Sequence, residues 1–372
     1  MDYLFNTSII KPVYSVQKFH RLLIEGIAAK GYDITILSSI PISRTKHKKI
    51  WWNNSFEIHG DVKYIFLPFI NFRFIRQFFV AFFSFIHSLW WCLHSKRGSS
   101  VIICDVLNVA VTAASLVAGK ICGIKTCAIV TDIPVMSGKA KKKDRKSLLE
   151  KWAIAISSFL MISYDNYVLL TEQMNEIVNP HNKPYMVMEG LVDINMGKTQ
   201  NTLNNKALER ILIYAGGIYE KYGIKKLLEA FMRLEGDDLR LHIYGSGEME
   251  NDMPYFMYLD KRIVYHGVVP NKIVVEKQIE ATLLINPRHG NQEFTKYSFP
   301  SKNMEYMASG TPVITTPLPG MPKEYYDYVY FFKDETVDGF IKSLNNIVNL
   351  PSAELVEKGQ KAKAFALEKK II

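Results

Sequence analysis

The sequence of 372 residues predicts an α/β protein made of two consecutive doubly wound units. Strand-length apolar runs alternate with helical patterns, the signature of parallel sheets covered on both faces. The pattern lapses in a polar stretch at 190–208 and restarts at Ile211-Leu212-Ile213-Tyr214-Ala215. The length suits two domains of roughly 150 residues each. A content of 48% hydrophobic and 22% charged residues excludes a disordered or collagen-like chain. The expected division is 1–190 and 191–372, with the last helix free to pack back on the first domain.

In the first half, apolar runs place strands at 2–6, 33–38, 62–66, 100–104, 125–131 and 166–170. Amphipathic or apolar stretches place helices at 15–30, 74–94, 107–122 and 145–160. In the second half, strands are expected at 211–215, 239–244, 263–266, 281–286, 313–315 and 328–332. Helices are expected at 223–234, 272–280, 301–309, 335–348 and 352–370. Cys92, Cys104, Cys122 and Cys127 form no C-x-x-C pair and sit in or beside apolar runs, so neither a zinc site nor a disulfide framework is encoded. The first ten residues lack the basic and apolar regions of a signal peptide, and the chain is expected to be cytoplasmic.

Charge is unevenly divided. Residues 1–190 hold 23 Lys and Arg against 13 Asp and Glu, whereas residues 191–372 hold 23 of each. A basic first half suits a polyanion, either nucleic acid or an anionic membrane. Residues 78–93, FFVAFFSFIHSLWWCL, carry no formal charge and are rich in aromatic rings. Sixteen residues fall short of the ~20 that cross a bilayer. Such a helix either lies buried on the sheet or rests at a lipid interface, and the surrounding bases favour the second. Candidate membrane contacts are Arg44, Lys48 and Lys49 in one basic loop, Arg73 and Arg76 at the start of the helix, and Lys141, Lys142 and Lys143 in a second loop.

Chemistry concentrates in the second half. Asp-x-Asp, H-E-x-x-H, G-x-S-x-G and Walker patterns are all missing, so no metal site is expected. Gly216-Gly217 and Gly245-Ser-Gly247 follow strands, at the carboxyl ends where doubly wound sheets bind ligands. The most informative stretch is 286–314, NPRHGNQEFTKYSFPSKNMEYMASGTPVI. It reads as a strand end, a polar loop, a helix beginning near Ser301 as cap and ending at Gly310, and a further strand. Free amides in the first helical turn, with Lys302 beside them, make an anion site suited to a diphosphate. Glu305, one turn deeper, is placed to accept the hydroxyls of a ribose.

These residues resemble the second domain of family 4 glycosyltransferases with the GT-B fold. The resemblance rests on SFPSKNMEYMASGTPVI, YAGGIYEKYGIKKLLEAF, LHIYGSG and YHGVVPN. QKFHRLLIEGIAAKGYDITILS, VTDIP and LLTEQMNEIV extend it, at lower specificity, through the first half. It implies two Rossmann-like domains facing across a cleft, and sugar transfer from a nucleotide sugar, with uridine favoured, with retention and without a bound metal or other cofactor. Glu305 matches the second Glu of the family's paired-Glu pattern. The first falls on Tyr297, which leaves Glu293 as the nearest carboxylate. Gly217 and Tyr222 replace the family's Arg and Lys, so Lys302, Arg288 or Lys221 would neutralise the diphosphate. The backbone around Val268 and Val269 would hold the base, Gly245 and Gly247 would admit it, and Asp132 would face the donor sugar or the acceptor.

The variant FTKYSFPSK resembles bacterial enzymes that build capsule, exopolysaccharide or O-antigen units on a polyprenyl diphosphate. It implies a lipid-linked saccharide acceptor, an anionic inner-membrane surface as partner and no nucleic acid. Alternatives are a GT-B nucleotide-sugar epimerase and a membrane-bound scaffold without activity.

Overall fold

The computed structural model describes residues 15–40, 48–133 and 148–371. The expected strand at 2–6 and the basic residues Arg44, Lys141, Lys142 and Lys143 lie outside them. The chain divides into two compact units, Met1–Glu189 and Gly190–Ile371.

The first unit runs α1 (Ser15–Ala29), β1 (Ile34–Ser38), β2 (Trp51–Trp52), β3 (Ser55–His59), β4 (Val62–Phe66), β5 (Phe69–Ile70), α2 (Arg73–His94), β6 (Val101–Asp105), α3 (Val109–Cys122), β7 (Lys125–Val130), α4 (Leu148–Ile162), β8 (Asn166–Leu169), α5 (Asn175–Val178) and β9 (Tyr185–Val187). Strands β6, β7, β8 and β9 form one parallel sheet in that order. β4 pairs in parallel with β1 and antiparallel with β3. The antiparallel strand departs from the all-parallel expectation. It arises from a two-residue Gly60-Asp61 loop, in which Gly60 takes a φ of 58° that a β-carbon disfavours. All five residues of β3 are exposed, Phe56 and Ile58 of its short polar-apolar alternation included. The short antiparallel pair β2–β5 and strand β9 are likewise additions to the expected elements.

The second unit runs β10 (Arg210–Ala215), α6 (Ile224–Phe231), β11 (Leu239–Tyr244), α7 (Met253–Leu259), β12 (Ile263–Gly267), α8 (Asn271–Glu280), β13 (Leu283–Asn286), α9 (Ser301–Ser309), β14 (Val313–Thr315), β15 (Tyr330–Phe331), α10 (Val337–Val348) and α11 (Ser352–Lys369). Its six strands are parallel in the order β12-β11-β10-β13-β14-β15. Side chains alternate between two cores, as a strand period of two requires. Leu212 and Tyr214 enter the core under α6 and α10, while Ile213 between them enters the core under α9 and α11. Leu283, Leu284 and Ile285 repeat the division on β13. α11 packs on α9 within this unit, where a β-carbon on Gly359 would lie 2.1 Å from the Gly310 carbonyl oxygen. α7 is an element the apolar pattern did not predict.

The polar stretch at 190–208 is not a free linker. Buried Asn201 donates to Ser309 O at 2.9 Å and to Thr311 Oγ1 at 2.8 Å. Lys206 donates to the carbonyls of Ile279 and Ala281 and to Thr311 Oγ1, and burial pushes its ammonium down to about 7. Polar side chains here satisfy buried acceptors of the second unit.

Candidate active site

Strand order reverses between β10 and β13, with β11 and β12 on one side and β14 and β15 on the other. In a doubly wound sheet that crevice at the carboxyl ends is the ligand position. Gly216-Gly217 leaves β10 there, Arg288 leaves β13, and α9 starts beside them.

The turns after β10, β11 and β12 are laced by their backbones. Gly216 N–H donates to Tyr244 O at 2.8 Å, Gly245 N–H to Gly267 O at 2.8 Å, and Ile218 N–H to Ser246 O at 3.0 Å. A β-carbon on Gly245 would lie 1.8 Å from Gly216 O, and one on Gly247 2.3 Å from Ile218 O. These two glycines are needed for turn-on-turn packing, whatever ligand the turns face. Gly216 is different, because a β-carbon there would lie 1.4 Å from Lys302 Nζ. Its missing side chain is the space that the ammonium fills.

Lys302 is the second residue of α9. Its ammonium donates to Tyr214 Oη at 3.1 Å and sits 4.5 Å from the centre of that ring. Tyr214 Oη in turn donates to Gly217 O at 2.7 Å. Burial, and then the charge of Arg288, push the Lys302 ammonium down to about 7. An anion placed here would relieve both effects. The Arg288 guanidinium lies over Tyr222 at 5.2 Å and Phe294 at 5.0 Å. Exposed Lys221 lies 5.3 Å from the ring centres of both Tyr219 and Tyr222.

The N-cap of α9 is Pro300, and no side chain caps the first turn. Ser301 is the first helical residue and not the cap, since the proline before it fixes where the helix begins. Asn303 N–H is used by Pro300 O at 2.8 Å. The helix is held against the sheet by Tyr306, whose hydroxyl accepts from Ala215 N–H at 2.8 Å. Buried Asn303 accepts from Asn286 Nδ2 at 2.8 Å and donates to Thr315 Oγ1 at 3.3 Å, tying α9 to β13 and β14.

The Glu305 carboxyl group lies between two amides of α8. Gln278 Nε2 donates to its Oε1 at 3.0 Å, and Asn271 Nδ2 to its Oε2 at 3.3 Å. A carboxylate oxygen can accept more than one hydrogen bond, which suits the hydroxyl pair of a ribose.

The loop after Arg288 is anchored by Glu335, which accepts from Gly290 N–H at 2.8 Å and meets His289 Nδ1 at 3.2 Å. Glu293 stands exposed at the start of a 3-10 turn (Glu293–Tyr297), and Tyr297 is half-buried at its end. Val268 is exposed, whereas Val269 packs against the core under α9 and α11. In the first unit, the Asp132 carboxylate accepts from Ile133 N–H at 2.8 Å. Lys302, Gly216 and Gly217 are thus brought together, with Arg288 near enough to depress the lysine and Glu305 one turn along the helix. Tyr214, Tyr306, Asn271, Gln278 and Glu335 are additional site residues. Asn271 and Gln278 carry no sequence signal, and the two tyrosines read as ordinary core positions.

Residues 209–349 match the family model described as "Glycosyl transferases group 1". Sucrose-phosphate synthase from Thermosynechococcus elongatus is similar in structure, with a TM-score of 0.67 at 14% identity over 96% of this chain and 89% of that one. WaaG, a glycosyltransferase involved in lipopolysaccharide biosynthesis, gives 0.62 at 13% identity over 97% and 94%. Anabaena HepE in complex with UDP gives 0.56 at 12% identity over 83% and 82%. No curated protein matches the sequence significantly. The structural likenesses show the GT-B fold of two Rossmann-like domains, and the group 1 domain makes the chain a glycosyltransferase by class.

Proposed function

We propose that this glycosyltransferase moves a sugar, with retention and without a bound metal, from a UDP-sugar to a saccharide carried on a polyprenyl diphosphate at the inner face of an anionic membrane, as in the assembly of a surface polysaccharide. The observation that carries the donor half is Lys302, an ammonium held in the space left by Gly216, at the uncapped start of a helix, one turn from a carboxylate. The likeness to a UDP-bound neighbour adds support for the nucleotide. The basic charge of the first half supports the acceptor half.

On this reading the acceptor hydroxyl attacks the anomeric carbon from the face that the diphosphate leaves. The bond from that carbon to the phosphate oxygen breaks, and the hydroxyl proton passes to the departing phosphate. Lys302 and the first amides of α9, with Arg288 nearby, stabilise the charge that develops there. Glu305 accepts the ribose hydroxyls, oriented by Asn271 and Gln278. Asp132 and Glu293 are the candidate carboxylates for the sugar or the acceptor.

Binding of UDP, GDP and ADP to the purified protein in EDTA, compared with Glu305→Ala, tests the reading. UDP is expected to bind at micromolar concentration and to lose about tenfold or more in the variant, since a hydrogen bond to a charged group contributes about 1.5–3 kcal/mol and tenfold is about 1.4 kcal/mol. Absence of binding by all three would remove the donor site, and equal binding by the variant would remove Glu305 from the ribose.

A further inference from the structure

Helix α2 presents two opposite rows, one of small residues that the fold buries and one of large apolar residues that it leaves exposed. Val80, Ser84, Ser88 and Cys92 form an i, i+4 row, and all four are buried. Their small size lets α3 approach closely, with Ser84 Oγ donating to Val111 O at 3.3 Å and Ser88 Oγ sharing a hydrogen bond with Ser115 Oγ at 2.9 Å. The row Phe78, Phe82, Ile86 and Trp90 is displaced from it by two positions, about 200° around a helix. It therefore points the other way, and it is exposed, Phe78 at 71% and Trp90 at 62%. Ile75 and Leu93, at 48% and 70% exposure, extend it by one turn at each end. Single exposed apolar residues are ordinary on a protein surface, but six in one helical row are a contiguous patch.

Charge identifies the occupant. Lys96 and Arg97 are exposed just beyond the carboxyl end of α2. At the amino end, exposed Lys48 and Lys49 precede Trp51, whose ring meets Phe79 edge-on at 6.3 Å. Between Asp61 and Asp105 the sequence has no acidic residue. A second copy of the chain laid on this row would set bases against bases with no carboxylate to pair them. An anionic lipid surface complements both the row and its ends, with rings at the depth where aromatic side chains favour the interface. Among the described residues no helix is long and apolar enough to cross a membrane, so the contact is in the plane of the bilayer. Arg76, expected among the lipid contacts, takes no part. Its guanidinium donates to Ile40 O at 2.7 Å and lies 4.7 Å from the centre of the Phe69 ring, and burial lowers its pKa.

We propose that the Ile75, Phe78, Phe82, Ile86, Trp90 and Leu93 face of α2 inserts into the interface of an anionic bilayer, with Lys48, Lys49, Lys96 and Arg97 at the headgroups. This deepens the membrane part of the function proposed above and rests on it, while standing apart from the donor site.

The full chain is mixed with phosphatidylcholine vesicles, with and without about one-third phosphatidylglycerol, and sedimented. Wild type is expected to partition onto the anionic vesicles, and Phe82→Ser with Trp90→Ser to partition about tenfold or more weakly, at an unchanged thermal midpoint. Brominated lipids should quench tryptophan emission in the unmodified protein, a readout that needs no variant to fold. Equal partition by the variant, or binding without quenching, would overturn the assignment of this face while leaving membrane association standing. No binding of wild type would overturn both. A wild-type dimer that the double variant makes monomeric, with no lipid binding, would make the row a self-interface instead.

Discussion

Lys302 shows how one residue joins packing to chemistry. A lysine ammonium is stable in water, and here the fold encloses it against the ring of Tyr214, in the space left by Gly216, with Arg288 as a further like charge. With its pKa brought down to about 7, the amine titrates near neutral pH. A diphosphate favours the charged form, so nucleotide binding takes up a proton, and the sign follows. Below pH 7 the ammonium is already present. As the pH rises above 7 the free site loses its charge, and the affinity for UDP should fall by up to about tenfold per unit until the pKa of the bound state is passed. Calorimetric titration between about pH 7 and 9 checks this, with Lys302→Met expected to bind weakly and without that slope. A slope that survives in the variant would place the titrating group elsewhere. Lys302 and Glu305 stand out in the sequence because they fall in one local pattern of strand, loop and helix start, and Gly216 because it follows a separate strand. The sequence hid Tyr214 and Tyr306, whose partners lie 88 and 91 residues away, since a tyrosine in an apolar run reads as core until the contact is known. Gln278 was equally silent, 27 residues from Glu305 on a helix with no distinguishing motif.

At the level of elements, apolar periodicity is legible where an element has one dry face or two. β10 and β13 fall where continuous apolar runs predict, as a doubly covered strand requires, and β11 falls where Leu239, Leu241 and Ile243 alternate with Arg240 and His242. β3 is exposed along its length, and its short alternation of Phe56 and Ile58 with polar residues marks a hairpin only together with the Gly60-Asp61 loop after it. The stretch at 190–208 misleads in the opposite sense. Its polar composition looks like a linker, yet Asn201 and Lys206 reach buried acceptors about a hundred residues away. Composition reports polarity and is blind to whether the polar group meets water or a carbonyl. Removing either donor strands those acceptors, at a cost of about 1–3 kcal/mol for each variant. Asn201→Ala and Lys206→Met should therefore lower the urea midpoint of the second unit, whereas a solvated linker would tolerate both within about 0.5 kcal/mol.

For the whole molecule, separate cores carry a thermodynamic consequence. The clusters around Trp52, Leu67 and Val80 and around Cys92 and Cys122 belong to the first unit, and the two that sandwich the six-stranded sheet belong to the second. Units that each hold buried clusters of their own favour two unfolding transitions in place of one. Nucleotide and lipid then act as independent probes, because a ligand stabilises the unit whose native state binds it, by about 2.7 kcal/mol at a hundredfold excess over Kd. Differential scanning calorimetry should show UDP raising the midpoint of one transition, and Lys302→Met should abolish that rise while leaving the other transition in place. Anionic vesicles should move only the transition that UDP leaves alone. If UDP moved both transitions equally, or the chain melted in a single transition, donor binding would be felt by the acceptor-side unit as well. The basic and neutral halves would then form one cooperative body, and the division of labour read from their charge would have to be abandoned.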